Sequence, residues 1–211
     1  MPAPKPSQRA IDLIIGFEVT SQAAYTKLYS HPIWPGGASG VTIGIGYDLG
    51  YASPAEIRAA WDPQVSAAMV AAMVSVAGLK GAPAKAALAG VKAAIDVPWA
   101  AASAVFGGVT LGLTSQQTSR ALPNCDALSA DSFGALVSLT YNRGASYTKS
   151  RDPHDPTDRY REMRAIQKAM AANNFAAIEG EILAMQRLWP GVAGLQRRRR
   201  AEAKLFKDGL A

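Results

Sequence analysis

Residues 41–47 read Val-Thr-Ile-Gly-Ile-Gly-Tyr, a run of β-branched residues broken twice by glycine. Such a run makes a poor helix and a good pleated strand, while the glycines supply the backbone freedom of a sharp reversal. It predicts a tight β-hairpin close to the start of the chain. The surrounding segments are punctuated for helices, so the hairpin has to be accommodated within a helical protein.

The helical signals are local and readable. Ser7 can cap a helix whose apolar positions Ile11, Ile14, Ile15 and Phe17 share a face, with Glu18 at its C-terminal end. A loop holding Pro32, Trp34, Pro35, Gly36, Gly37 and Gly40 leads into the hairpin. Ser53-Pro54-Ala55-Glu56 combines a capping serine, proline at the first helical position and a glutamate that closes a capping box. Asp62-Pro63 reads as the same device, with Gly78 ending that helix. The uncharged stretch from Pro63 to Leu79 is diluted by alanine and serine and is short for a bilayer, so it reads as a buried helix. Further helices are expected over 84–95 and 98–106. Ser129 or Asp131 starts an apolar helix through Phe133, Leu136, Val137 and Leu139 that Gly144 closes. After a charged, proline-containing loop from Arg151 to Pro156, helices are expected over about 158–172, 175–188 and 193–207.

The fold class that follows is α+β, mainly α. One domain over 1–211 is expected, with a lobe of helix and hairpin over about 8–52 and a helical lobe over about 53–211. A cleft between two such lobes would suit an extended polymer. With 49% hydrophobic and 18% charged residues, the chain can bury a core and does not read as disordered.

Charge narrows the partners. A net charge of +6 favours polyanions in general. The sharpest basic feature, Arg197-Arg198-Arg199-Arg200, reads first as a solvated or salt-bridged helix face. Neither zinc spacing nor a helix-turn-helix signature accompanies it, so nucleic acid is not an expected partner. Cys125 is the single cysteine, which excludes an internal disulfide and reads as a packing residue. With only His31 and His154, no zinc site and no cofactor are expected. Met1 to Pro6 leads straight into the amphipathic segment, without the apolar core and cleavage site of a signal peptide. Synthesis in a bacterial cytoplasm, without an export signal, is the expectation.

Glycosidic hydrolysis needs an acid for the leaving oxygen and usually a second carboxylate for water or positive charge. Glu18 is the candidate acid: partial burial on an apolar helix would raise its pKa and keep it protonated near neutrality. Taken alone, a glutamate at a helix end is more often simply solvated. Its context gives it weight. Val41-Thr42-Ile43-Gly44-Ile45-Gly46-Tyr47-Asp48 resembles the hairpin of phage-type lysozymes, where a Thr-Ile-Gly-hydrophobic-Gly run follows a catalytic glutamate. Phe133 to Gly144 is similar to that family's helix ending in aromatic-Asn-x-Gly. Gly194 to Phe206, with its arginines and Glu202, is similar to the closing helix. The three elements occur in the family's order, whereas residues 52–128 match poorly.

The resemblance implies a lysozyme-like fold and a muramidase, cutting the β-1,4 bond between N-acetylmuramic acid and N-acetylglucosamine in peptidoglycan. It implies Glu18 as catalytic acid, Thr42 holding the attacking water, and arginines of the closing helix packed onto the core and paired with acids such as Glu202. Many members carry a second carboxylate six positions before the hairpin threonine, but here that position is Gly36. Pesticin-like members have an aspartate six positions after it, which corresponds to Asp48. Asp48 is therefore the candidate second carboxylate, and equally a turn residue that bends Asp48-Leu49-Gly50 away from the strand. Tyr47, Asn142 and Arg143 are candidates for substrate contact; Asn142 and Arg143 could equally cap their helix or brace the fold.

An inverting reaction is expected, changing to retention if the carboxyl groups lie only about 5 Å apart. The expected partner is the peptidoglycan glycan strand, met by a monomer in the periplasm or cell wall. A phage endolysin is the expected context, and a secreted antibacterial toxin would use the same chemistry. Two other readings stay open: a lytic transglycosylase, and a lysozyme-like domain that binds wall or protein without cutting.

Overall fold

A computed structural model describes residues 4–211 and is mainly helical, with one two-stranded antiparallel sheet among the described residues. Met1–Ala3, the start of the segment read as lacking an export signal, lie outside the described residues. The chain divides into two units, residues 15–110 and residues 111–211 joined by the N-terminal stretch to Ile14. Helix α1 (Gln8–Val19) supplies residues to both. Ser7 starts it as expected: its hydroxyl accepts from the Ala10 amide at 3.1 Å, and its own amide donates to the Ala130 carbonyl.

In the 15–110 unit, α1 ends at Val19 and α2 (Gln22–Leu28) follows at once, capped by Ser21. Sequence patterning did not single out α2. Only seven residues long, it is tied down chiefly by Tyr25, which is buried and donates its hydroxyl to the Val97 carbonyl at 2.9 Å. The hairpin forms where expected, as β1 (Thr42–Ile43) and β2 (Tyr47–Asp48). Its loop uses positive φ at Gly44 and Gly46, so side chains at those two positions would strain it. Ile43, Ile45 and Leu49 are buried, and the ring of fully buried Trp61 lies under Gly44.

α3 (Pro54–Trp61) carries the full capping box: Ser53 accepts from the Glu56 amide, and the Glu56 carboxylate accepts from the Ser53 amide. Asp62-Pro63 does not start a helix. Asp62 is the half-helical residue that caps the end of α3, and the chain turns before Ser66 caps α4 (Ala67–Ser75). Ser66 wins because its side chain reaches the Met69 amide in the required geometry. α4 buries Val70 and Met73 along one face and leaves Ala67, Ala68 and Ala71 exposed, so it is half-buried rather than enclosed. α5 (Ala82–Lys92) and α6 (Trp99–Val105) follow. No helix among the described residues is long and apolar enough to cross a membrane.

The 15–110 unit ends in a π-turn over Phe106–Thr110, and the other unit continues with α7 (Leu111–Ala121), a helix that sequence patterning missed. Its buried positions are largely Thr114, Ser115 and Thr118, whose hydroxyls turn inward, so a hydrophobic period was not there to be read. α8 (Ala130–Arg143), capped by Ser129 and closed by Gly144, is the central helix: every residue from Ser132 to Thr140 is buried. A helix enclosed on all sides is packed by several neighbours; here they are α7 and α11 (Ala193–Asp208). Before α11 come α9 (Arg161–Ala171) and α10 (Ile178–Ala184), the latter flanked by short 3-10 turns. α9 starts three residues later than expected because Asp158 adopts a left-handed φ of 42°, which a helix cannot include.

Candidate functional site

The hairpin brings three of the sequence candidates together. Thr42 stands opposite Asp48 in the antiparallel register, and Ile43 opposite Tyr47. Directly opposed residues project to the same side of a sheet, so Thr42 and Asp48 share one face and Tyr47 takes the other. Both Thr42 and Asp48 are half-buried. The Thr42 hydroxyl has a long, 3.5 Å approach to the Gly40 carbonyl.

Asp48 is held by backbone amides. Its Oδ1 accepts from Gly50 N at 2.8 Å and Gly40 N at 3.0 Å, and its Oδ2 shares the Gly40 amide at 3.1 Å. The carboxylate therefore clamps the chain entering β1 to the chain leaving β2, which is the turn role open from the sequence. It can do so because Gly40 and Gly50 lack side chains: a Cβ on Gly40 would run into Asp48 Oδ1 and the Gly50 backbone. Oδ2, with one shared donor, is the less committed oxygen.

Tyr47 lies edge-on against Trp61 with ring centres 5.5 Å apart, and burial raises its phenol pKa, with Glu56 adding to the effect. The Trp61 indole N–H is buried without a hydrogen-bond partner.

Glu18 sits in the last turn of α1, in the same unit as the hairpin. Its side chain is exposed, so the partial burial expected for it is not found. Helical spacing puts position 18 on the same side of α1 as buried Ile14 and Ile15, so Glu18 is exposed in the last turn despite its register.

Asn142 and Arg143 occupy the C-terminal turn of α8, in the other unit. Asn142 Oδ1 accepts from Arg199 Nη2 at 3.0 Å, a bracing contact. The Arg143 guanidinium donates through Nη2 to the Arg159 carbonyl and lies between the rings of Trp189, at 5.1 Å, and Tyr160, at 5.7 Å. Burial and the nearby charge of Arg159 lower its pKa.

The arginine run divides by position. Arg198 and Arg199 turn inward and are buried, whereas Arg197 and Arg200 are exposed. Fully buried Glu202 receives Arg198 Nε at 3.1 Å, Arg199 Nη2 at 3.0 Å and Ser138 Oγ at 2.6 Å, all on Oε1. Arg199 Nε pairs with its Oε2 at 2.9 Å. Burial pushes the Glu202 carboxyl up, and the two guanidiniums pull it back toward the ionised form. A second enclosed acid, Glu162, is gripped by Arg187 through both oxygens, at 2.6 and 2.9 Å, and by Arg161 at 2.8 Å.

Residues that sequence reasoning did not single out are Arg159, Tyr160 and Trp189. They line a cavity of about 280 Å³ with Asn142, Arg143 and Leu195. They come from separate segments with no shared spacing, so only the fold assembles them. Cys125 is buried, and burial raises its thiol to about 11, as suits a packing residue. Among the described residues no three His, Cys, Asp or Glu side chains gather in a group that could hold a metal ion. No protein-family model matches this chain, and no curated protein sequence matches it.

Proposed function

We propose that this chain is a lysozyme-like muramidase that hydrolyses the β-1,4 bond between N-acetylmuramic acid and N-acetylglucosamine in peptidoglycan. The observation that carries the reading is the hairpin register: Thr42 and Asp48 face each other across two short strands, downstream of a helix with Glu18 in its last turn. That order matches the resemblance to phage-type lysozymes stated on sequence motifs.

Glu18 donates its proton to the leaving glycosidic oxygen. Thr42 hydrogen-bonds a water molecule, and Asp48 Oδ2 takes a proton from it as its oxygen bonds to the anomeric carbon, which inverts the configuration. Because Glu18 is exposed in the free protein, exclusion of water around it falls to the bound glycan. The glycan strand is the partner and no cofactor takes part. The protein works as a monomer in the periplasm or wall after release from the cytoplasm, as an endolysin; a secreted antibacterial toxin would use identical chemistry.

A second reading is favoured by one observation, the capture of Asp48 by the Gly40 and Gly50 amides together with Gly36 where many family members have a carboxylate. An enzyme with Glu18 as its only working carboxylate would be a lytic transglycosylase, closing the muramic 6-hydroxyl onto the anomeric carbon in place of water. Release of soluble fragments from purified walls tests both. Glu18→Gln should lower the rate about 10²- to 10⁴-fold, the usual worth of a general acid. Asp48→Asn should also inactivate the muramidase but leave a transglycosylase active. A folded wild-type chain that releases nothing from several wall types would end both readings.

A further inference from the structure

The turn after α8 and the segments around Arg159 and Trp189 form a hollow that hydrolysis of the glycan does not use. Arg143, Arg159 and Trp189 line both the 280 Å³ cavity and an adjoining one of about 140 Å³. Among the described residues no carboxylate pairs with Arg143, and its Nε is buried without a hydrogen-bond partner. The acids nearby are already engaged: Glu162 by Arg187 and Arg161, Glu202 by Arg198, Arg199 and Ser138, and Asp158 by Arg164. Asp155, which lines the smaller hollow, accepts from the Thr157 hydroxyl and from the Thr157 and Arg159 amides.

Two guanidiniums thus border the hollows against one carboxylate, Asp155, whose charge acts on Arg159, while no carboxylate among the described residues pairs with Arg143. A half-buried cation without a counter-ion is costly, and an incoming anion relieves that cost. The fork of an arginine matches a carboxylate in two-point geometry. Tyr160 and Trp189 offer flat apolar walls suited to the methylene stem behind such a group. Arg199 fixes the Asn142 amide by donating to its oxygen, so the amide nitrogen is left to donate to a ligand.

We propose that the Arg143–Arg159–Tyr160–Trp189 pocket binds the free carboxylate of a peptide, namely the stem peptide carried by the muramic residue. The identity of the peptide rests on the wall-cleaving reading; the carboxylate chemistry rests on the pocket itself. Calorimetric titration of the full chain with the soluble tripeptide L-alanyl-γ-D-glutamyl-diaminopimelate tests it. Saturable binding is expected, weakened about tenfold or more by Arg143→Gln and by Arg159→Gln. The Arg159 variant guards against misfolding, and both are compared with wild type by thermal unfolding. The tripeptide with its carboxylates amidated should not bind, and inorganic phosphate should bind far more weakly than the peptide.

No peptide binding, or binding indifferent to both arginines or to amidation, would overturn the proposal, as would phosphate binding as tightly as the peptide. Wall digestion by the same preparation separates the two claims. Digestion without peptide binding removes this site and leaves the muramidase, whereas arginine-dependent peptide binding without digestion keeps the pocket and removes the enzyme.

Discussion

In residues 15–110 a carboxylate is held by the backbone; in residues 111–211 carboxylates are held by arginines. Asp48 accepts only main-chain amides and joins two stretches of chain that glycines allow to approach closely. Glu202 and Glu162 are enclosed and receive guanidiniums. The first arrangement fixes shape with neutral donors, so it responds to the geometry of a replacement. The second fixes charge away from water, so it responds to any change that leaves one partner alone. An oxygen facing a candidate reaction site belongs with the first kind, where position is set without enclosing the group.

Breaking the comparison at its charged end should have the largest effect on stability. Glu202→Ala leaves Arg198 and Arg199 buried without their acid and should cost about 3–5 kcal/mol in denaturant unfolding. Replacing Arg198, Arg199 and Glu202 together by apolar residues should recover much of that loss, because no lone charge remains.

At the backbone end the expected effect is smaller. Asp48→Ala orphans the Gly40 and Gly50 amides and should cost about 1–3 kcal/mol, while Asp48→Asn keeps one acceptor and should cost less. An equal loss for both would mean that the charge of Asp48, rather than its placement, holds the hairpin.

Acid should act gradually through the charged unit. Burial alone would raise Glu162, but the hydrogen bond from Arg187 and the charges of Arg187 and Arg161 outweigh it and hold the carboxyl below its ordinary value of 4.5. Asp155 is held down at about 2 by the Thr157 hydroxyl and the Arg159 amide. Groups depressed in the folded state stabilise it above their ordinary values, and that contribution is lost as pH falls through the folded ones. Urea midpoints should therefore drop between about pH 4.5 and 2, and Glu162→Gln should flatten part of that slope.

The smallest effect belongs to the exposed pair of Lys204 and Asp208, 2.9 Å apart. Lys204→Ala should change stability by no more than about 0.5 kcal/mol, and less at high salt.

Elements marked by their own residues were legible in the sequence. The capping box at Ser53–Glu56, the glycines of the 41–47 hairpin and the Ser129 cap each act within one turn of chain, so their outcome is decided locally. α2 and α7 were not legible because the hydroxyls of Tyr25 and Thr118 draw their value from distant partners, the Val97 carbonyl and Thr140. Asp62-Pro63 carried the right letters, but the chain was still finishing α3 there. The pairing of Thr42 with Asp48 followed from the hairpin once its register was known, whereas helical spacing sets Glu18 beside Ile14 and Ile15 and so could not reveal its exposure. The Arg143 pocket draws on four separate stretches of chain and left no spacing to read.

The central claim is that Glu18 and Asp48 cut wall glycan by hydrolysis, and the most direct measurement is the sugar end left on each fragment. Purified peptidoglycan is digested with the wild-type chain, Glu18→Gln and Asp48→Asn, and the products are read by mass spectrometry. Reducing N-acetylmuramic ends from wild type, absent with both variants, are the predicted result. Anhydro-muramic ends, or reducing ends that persist with Glu18→Gln, would contradict it.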